Sequence, residues 1–201
     1  MSSQGAASDM REALGLMTSN LERAHRLVQD FKKLSVSQLS DVREPLDLPE
    51  AVQDTLNVAR VGFKRSQISV TFTNRLPADS RTWVGYRGYL SQILLNLLTN
   101  VERYAYPGGQ GGVAEVAVAP EGPSDFVLSV RDTGRGMPPD TLARIFEPFF
   151  TTGRGAGGTG LGLTIVYNLV TTALKGHITV TSQAGQGTEV RIVFPRVVPL
   201  A

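Results

Sequence analysis

The sequence predicts an α/β (α+β) two-layer sandwich: a mixed, largely antiparallel sheet with helices on one face, preceded by a long heptad helix. Three observations point there. Helical and strand-like segments are mixed along the chain, with the strands reading as largely antiparallel, which suits one layer of each. In 201 residues, 41% hydrophobic, Leu, Ile, Val and Phe are plentiful enough for a real core. Near the N-terminus, apolar residues recur at coiled-coil spacing.

Taken in order, residues 1–9 are small and polar and read as a frayed leader. Met10, Leu14, Met17, Leu21, Ala24, Val28 and Phe31 then follow at steps of four and three, an a/d seam, with Glu12, Glu22, Arg23, Arg26, Gln29 and Lys32 on the other faces. Such a helix cannot bury its own seam, so residues 10–39 are expected to self-associate, as a homodimer or a looser assembly. Residues 41–49 hold two prolines and several acidic residues and read as a linker. Asp47 is placed to cap the next helix, with Pro49 and Glu50 in its first turn. That helix should run to about Gly62.

Residues 68–73 alternate and predict a strand. A helix is predicted over 88–104, apolar at Leu90, Ile93, Leu94, Leu97, Leu98 and Val101. A Pro-Gly-Gly-Gln-Gly-Gly loop leads to strands over 113–119 and 125–131. A short helix is expected over 138–144 and a longer one over 161–174, then strands over 177–183 and 189–194. The main domain is therefore placed at 50–196, with 197–201 as a tail.

Composition removes several classes of function. The absence of cysteine excludes a disulfide scaffold, a thiolate metal site and a cysteine nucleophile. Two histidines, His25 and His177, cannot build a multi-histidine metal centre. No apolar run approaches the ~18–20 residues of a membrane span. A formal charge of +2 gives no reason to expect nucleic acid or a membrane surface as partner. The chain is expected to be cytoplasmic.

Three segments carry chemistry. Gly158-Thr159-Gly160-Leu161-Gly162-Leu163 opens a helix, where glycines let backbone N–H groups approach an anion and the helix end adds partial positive charge. This suits a polyphosphate, although it is neither a Walker loop nor a G-x-G-x-x-G dinucleotide site. The glycine-rich run just before it, from Thr152 through Arg154 to Gly157, is expected to form a lid. Asp132-Thr133-Gly134-Arg135-Gly136-Met137 follows a strand. Its carboxylate can accept from an exocyclic amine such as adenine N6, while the glycines would let a flat ring pass close to the backbone. Asn96 and Asn100, four apart on an otherwise apolar helix, lie on one face and offer neutral oxygen ligands for Mg²⁺.

Taken together, the three segments resemble the ATP-binding catalytic domain of bacterial sensor histidine kinases, within the wider superfamily of gyrase, the heat-shock chaperone ATPase and the mismatch-repair ATPase. The run from Gln92 to Tyr104 resembles the family's N box, Asp132–Met137 its G1 box, Ile145-Phe146-Glu147-Pro148-Phe149-Phe150 its F box, and Gly158 to Leu163 its G2 box. Gly187-Thr188 resembles the threonine behind the adenine site. Order and spacing agree over about residues 46–195.

The resemblance implies the roles that follow. ATP and Mg²⁺ would be the cofactors. Asn100 would ligate the metal, supported by Asn96; Arg103 would contact phosphate and Tyr104 would stack near adenine. Asp132 would read the adenine amine beside Gly134, Gly136, Met137 and Thr188. Phe149 and Phe150 would anchor the base of the lid, in which Thr152 and Arg154 lie; Arg154 would take the place of a lysine often found there. Gly158, Thr159, Gly160, Leu161, Gly162 and Leu163 would cradle the phosphates.

The heptad helix resembles the second helix of the family's dimerisation hairpin, but the phosphoacceptor box has no counterpart in 1–201. His25 lacks its Glu-and-Pro context, so the isolated chain is expected to show little autophosphorylation. The phosphoacceptor helix and a response regulator would be partners in a two-component system. Asn96 stands where the ATP-hydrolysing branches carry a general-base glutamate, which argues against a motor or clamp. A serine kinase of the anti-sigma-factor type and a non-catalytic nucleotide-binding interaction module are the remaining alternatives.

Overall fold

A computed structural model describes residues 14–15, 17–18, 21, 42–108, 111–153 and 158–200. Its first strand, β1 (Glu44–Asp47), pairs antiparallel with β3 (Thr82–Gly85) in a small two-stranded sheet. Helix α1 (Leu48–Ser66) begins where the sequence places a cap: Glu50 N–H donates to Asp47 Oδ1 at 2.9 Å. It runs past Gly62 and stops at Gln67, whose φ of 54° is left-handed. Then come β2 (Ile68–Asn74), α2 (Arg87–Asn100), β4 (Gly112–Glu121), β5 (Asp125–Asp132), α3 (Pro139–Leu142), α4 (Gly162–Asn168), β6 (His177–Gln183) and β7 (Gly187–Pro195). The helices α2 and α4 each continue through one π-helical turn, Val101–Ala105 and Leu169–Ala173.

Among the described residues, β2, β4, β5, β7 and β6 form the main sheet in that spatial order. Only β2 and β4 run parallel; the other neighbours are antiparallel. Period-two alternation puts Val116, Phe126, Leu128, Val130, Val190, Ile192 and Phe194 on one face, all buried. Against that face pack Leu90, Ile93, Leu94, Leu97 and Leu98 of α2, Leu48, Val52 and Leu56 of α1, and Ile165 and Val166 of α4. The expected two-layer sandwich is the observed fold.

Two expected boundaries are corrected. The segment 41–49 is no linker, because β1 lies within it and both Leu46 and Leu48 are buried. Leu46 opposite Trp83 supplies an apolar anchor, and Pro45 is tolerated because this strand is an edge. Nor do residues 197–198 belong to a loose tail. Val198 is fully buried, its N–H donates to Val84 O at 2.8 Å, and its carbonyl accepts from Arg43 Nε at 2.7 Å. Trp83 closes this end: its Nε1–H donates to Pro195 O at 3.1 Å and its ring meets Phe194 edge-on at 5.3 Å.

Of the heptad seam, Leu14, Met17 and Leu21 are described; all three are helical and exposed. Met10, Ala24, Val28, Phe31 and His25 lie outside the described residues.

Candidate functional site

A cavity of about 400 Å³ opens between α2, the β5–β7–β6 end of the sheet, the loop after β5 and the start of α4. Sheet register builds its floor. Val130, Val190 and Val180 stand side by side on β5, β7 and β6, an apolar row. Two residues along each strand, Asp132, Thr188 and Ser182 form the adjacent row, which is polar. A flat, apolar ring carrying a polar edge fits such a pair of rows.

Asp132 is only 7% exposed, and its Oδ1 accepts from Gly134 N–H at 2.8 Å. Burial pushes its carboxyl above the ordinary carboxylate range; hydrogen bonds with the Gly134 and Thr188 backbone pull the other way without cancelling it. Ser182 Oγ accepts from Met137 N–H at 2.9 Å, donates to Gly187 O at 2.9 Å and lies 2.9 Å from Thr188 Oγ1. It ties the loop after β5 to the β6–β7 hairpin.

The opposite wall is α2. Asn96 and Asn100 both line the cavity, and the Nδ2 of each is buried without a partner in the protein. Asn96 Oδ1 accepts from Gln92 Nε2 at 3.1 Å, which leaves its buried Nδ2 as the unpartnered group. Asn100 Oδ1 faces Gly162, 3.8 Å from where a Cβ on that glycine would stand. Buried amides without partners are costly unless a ligand satisfies them.

Fourteen of the nineteen residues singled out in the sequence line this cavity: Asn96, Asn100, Arg103, Tyr104, Asp132, Gly136, Met137, Phe150, Thr152, Thr159, Gly160, Gly162, Leu163 and Thr188. Arg154 lies outside the described residues. Gly134, Phe149, Gly158 and Leu161 do not line it, each for a packing reason. Leu161 is buried in the core at 1% exposure. Phe149 is turned outward, 57% exposed with a left-handed φ of 65°, while its N–H donates to Gly160 O at 2.9 Å. A Cβ on Gly158 would strike the Tyr104 hydroxyl, which itself lies 3.1 Å from Thr151 Oγ1.

The glycines of the loop after β5 also act differently from expectation. A Cβ on Gly134 would strike the Ala105 carbonyl, and one on Gly136 (φ 62°) the Gln183 carbonyl. They let protein backbones meet, and Gly136 also lines the cavity. Gly160 has the same task against the Phe149 backbone.

Residues 85–198 match the family model described as histidine kinase-, DNA gyrase B-, and HSP90-like ATPase. The chain belongs to this ATPase family.

Within that family its likeness is to sensor kinases. It is 30% identical over 185 residues to the sensor histidine kinase AtsR of Burkholderia thailandensis, covering 90% of this chain and 30% of that protein. The mycobacterial sensor histidine kinase MprB is 30% identical with a TM-score of 0.62, covering 77% of this chain and 97% of the solved one. Full-length ShkA in complex with AMPPNP is 26% identical with a TM-score of 0.72, covering 96% of this chain and 40% of that one. The chain spans between 20% and 39% of the length of the curated relatives it matches. Its likeness is to the ATP-binding catalytic domains of sensor histidine kinases.

Several wall residues of this ATPase domain escape sequence reading. Val130, Val180 and Val190 look like any buried strand residues, and Thr141 reads only as part of a short helix. The usable clue was spacing: Val130 and Val190 each stand two residues from a polar residue singled out on the same strand, Asp132 and Thr188. Ser182 carried no such clue.

Proposed function

We propose that this domain binds Mg²⁺-ATP and transfers its γ-phosphoryl group to a histidine beyond residues 1–201, as the catalytic part of a cytoplasmic two-component sensor kinase. The observation that carries the reading is the polarity of the cavity: a buried carboxylate beside an apolar valine row at one end, and two asparagines whose buried amide nitrogens lack partners at the other. The adenine would lie on Val130, Val180 and Val190 with its amine donating to Asp132. The phosphates would reach toward Gly160, Gly162 and the asparagines. The presence of AMPPNP in the complex of the related ShkA supports nucleotide binding here.

The residues also fit a magnesium ion. Among the described residues there is no group of three or more His, Cys, Asp or Glu able to hold a metal. Mg²⁺ that keeps waters and takes substrate phosphates needs few protein ligands, and the Asn100 amide oxygen suits one of them. When bound, the metal would neutralise phosphate charge. The protein's own part is to hold the base on Asp132, present the Asn96 donor, and position the phosphates in line with an incoming imidazole; catalysis of this kind is largely positioning. Asn96 is an amide and cannot activate water, which favours transfer over hydrolysis.

Calorimetry with Mg²⁺-ATP, followed by radiolabel transfer from ATP to an added dimerisation hairpin bearing a phosphoacceptor histidine, tests the proposal. Expected are saturable binding by the domain and acid-labile label on the hairpin. Binding without label on a series of hairpins would leave a nucleotide-sensing module; no binding would overturn the site.

A further inference from the structure

The helix that carries the asparagines ends in the π-helical turn Val101–Ala105, and the next residue, Tyr106, is tied to the loop after β5. Its hydroxyl accepts from Thr133 N–H at 3.0 Å and Val113 N–H at 3.0 Å, and donates to Val113 O. Its ring occupies the space that a Cβ on Gly112 would fill. One residue earlier, Ala105 O accepts from Arg135 N–H at 2.8 Å. The end of the helix thus grips the loop at residues 133 and 135, on both sides of Gly134. Gly134 is the residue whose N–H donates to Asp132 Oδ1.

We propose that Tyr106 is a positioning residue that sets the aim of Asp132, and so the discrimination of adenine from other bases, by locking the loop to the asparagine helix. The proposal rests on the reading of Asp132 as the acceptor for the adenine amine. The Asp132 carboxyl is held by Gly134 N–H on the loop side and by the Thr188 backbone on the β7 side, so its direction depends in part on where the loop places residue 134. With Thr133 N–H released, the loop's share in that direction is loosened. The asparagine helix and the loop after β5, two walls of the cavity, would also lose one of their ties.

The test uses ATP and inosine triphosphate, which carries an oxygen in place of the exocyclic amine. Affinities of both are measured by calorimetry for the parent, Tyr106→Phe, Asp132→Asn and the double variant. In the parent, ATP should bind better than the inosine nucleotide. Tyr106→Phe keeps the ring against Gly112 and removes the hydroxyl; it should cut the ATP-to-inosine preference about fivefold, as for one lost hydrogen bond. Adding it to Asp132→Asn should then change the ratio no further. Gly112→Ala displaces the ring while keeping the hydroxyl, and should give the same loss, so it carries the comparison if the phenylalanine variant fails to fold. A purely structural role for Tyr106 would lower both affinities equally and keep the ratio, overturning the proposal. If Asp132→Asn itself keeps the parental ratio, the base-reading assignment falls and this proposal with it. If Asp132→Asn loses the ratio and Tyr106→Phe keeps it, only the role of Tyr106 falls.

Discussion

Asp132 is a buried carboxylate facing a valine row, and both its stability effect and its binding role turn on its charge. Burial raises its pKa above the usual 3.8, so the folded state holds this proton more tightly than the unfolded chain does. Its contribution to stability is therefore present below the unfolded value and is lost as pH rises through the raised folded value. Nucleotide binding runs the opposite way, because the charged form is the better acceptor for an amine. ATP affinity should weaken as pH falls toward that raised value, and Asp132→Asn should flatten this part of the profile in calorimetry across pH. The asparagines test the other wall. Asn100→Ala removes the amide oxygen that faces Gly162, so magnesium should no longer tighten ATP binding; titrations with Mg²⁺ and with EDTA should give the same affinity. Asn96→Ala, which removes a donor, should weaken binding in both.

At the scale of elements, the clasp of β1, β3 and the residues after β7 is a stability device set apart from the site. Trp83 is fully buried and is the hub of that clasp. Trp83→Ala should cost about 3–5 kcal/mol, as for large aromatic truncations, seen as a lower urea midpoint. Phe194 and Thr188 are six residues apart on β7, about 20 Å at strand rise, so ATP affinity without urea should hold. The same clasp shows why parts of the fold were illegible. Four-residue strands carry too few side chains to display a period, and Pro45 with its acidic neighbours imitates a linker. Only Trp83, far along the chain, reveals that Leu46 has somewhere to go. By contrast α1, α2, β2 and β4–β7 each display several turns or alternations, and their identities could be read from residues alone. The site divides in the same way. Asn96, Asn100 and Asp132 stood out because a polar group on an apolar pattern needs a reason. Tyr106, Ser182 and the valine row did not, because their meaning lies in cross-strand register and in contacts between distant loops.

At the scale of the whole molecule, Leu14, Met17 and Leu21 are 58%, 62% and 69% exposed, three large apolar side chains on consecutive helical turns. Covering them contributes about 1.5–3 kcal/mol each before the cost of association, which is enough for dimers in the micromolar range. Sedimentation should show concentration-dependent self-association, and Leu14→Glu with Leu21→Glu should give monomers that bind ATP as before. No helix among the described residues is long and apolar enough to cross a membrane. The strand order has its own consequence. Among the described strands β7 comes last in the chain, yet it stands between β5 and β6. While the ribosome is still making it, β5 and β6 have no common neighbour, Asp132 faces no Thr188, and the valine floor has a gap. A chain in that state presents open strand edges and an unfinished cavity floor. The floor is complete only when β7 slides into place between β5 and β6.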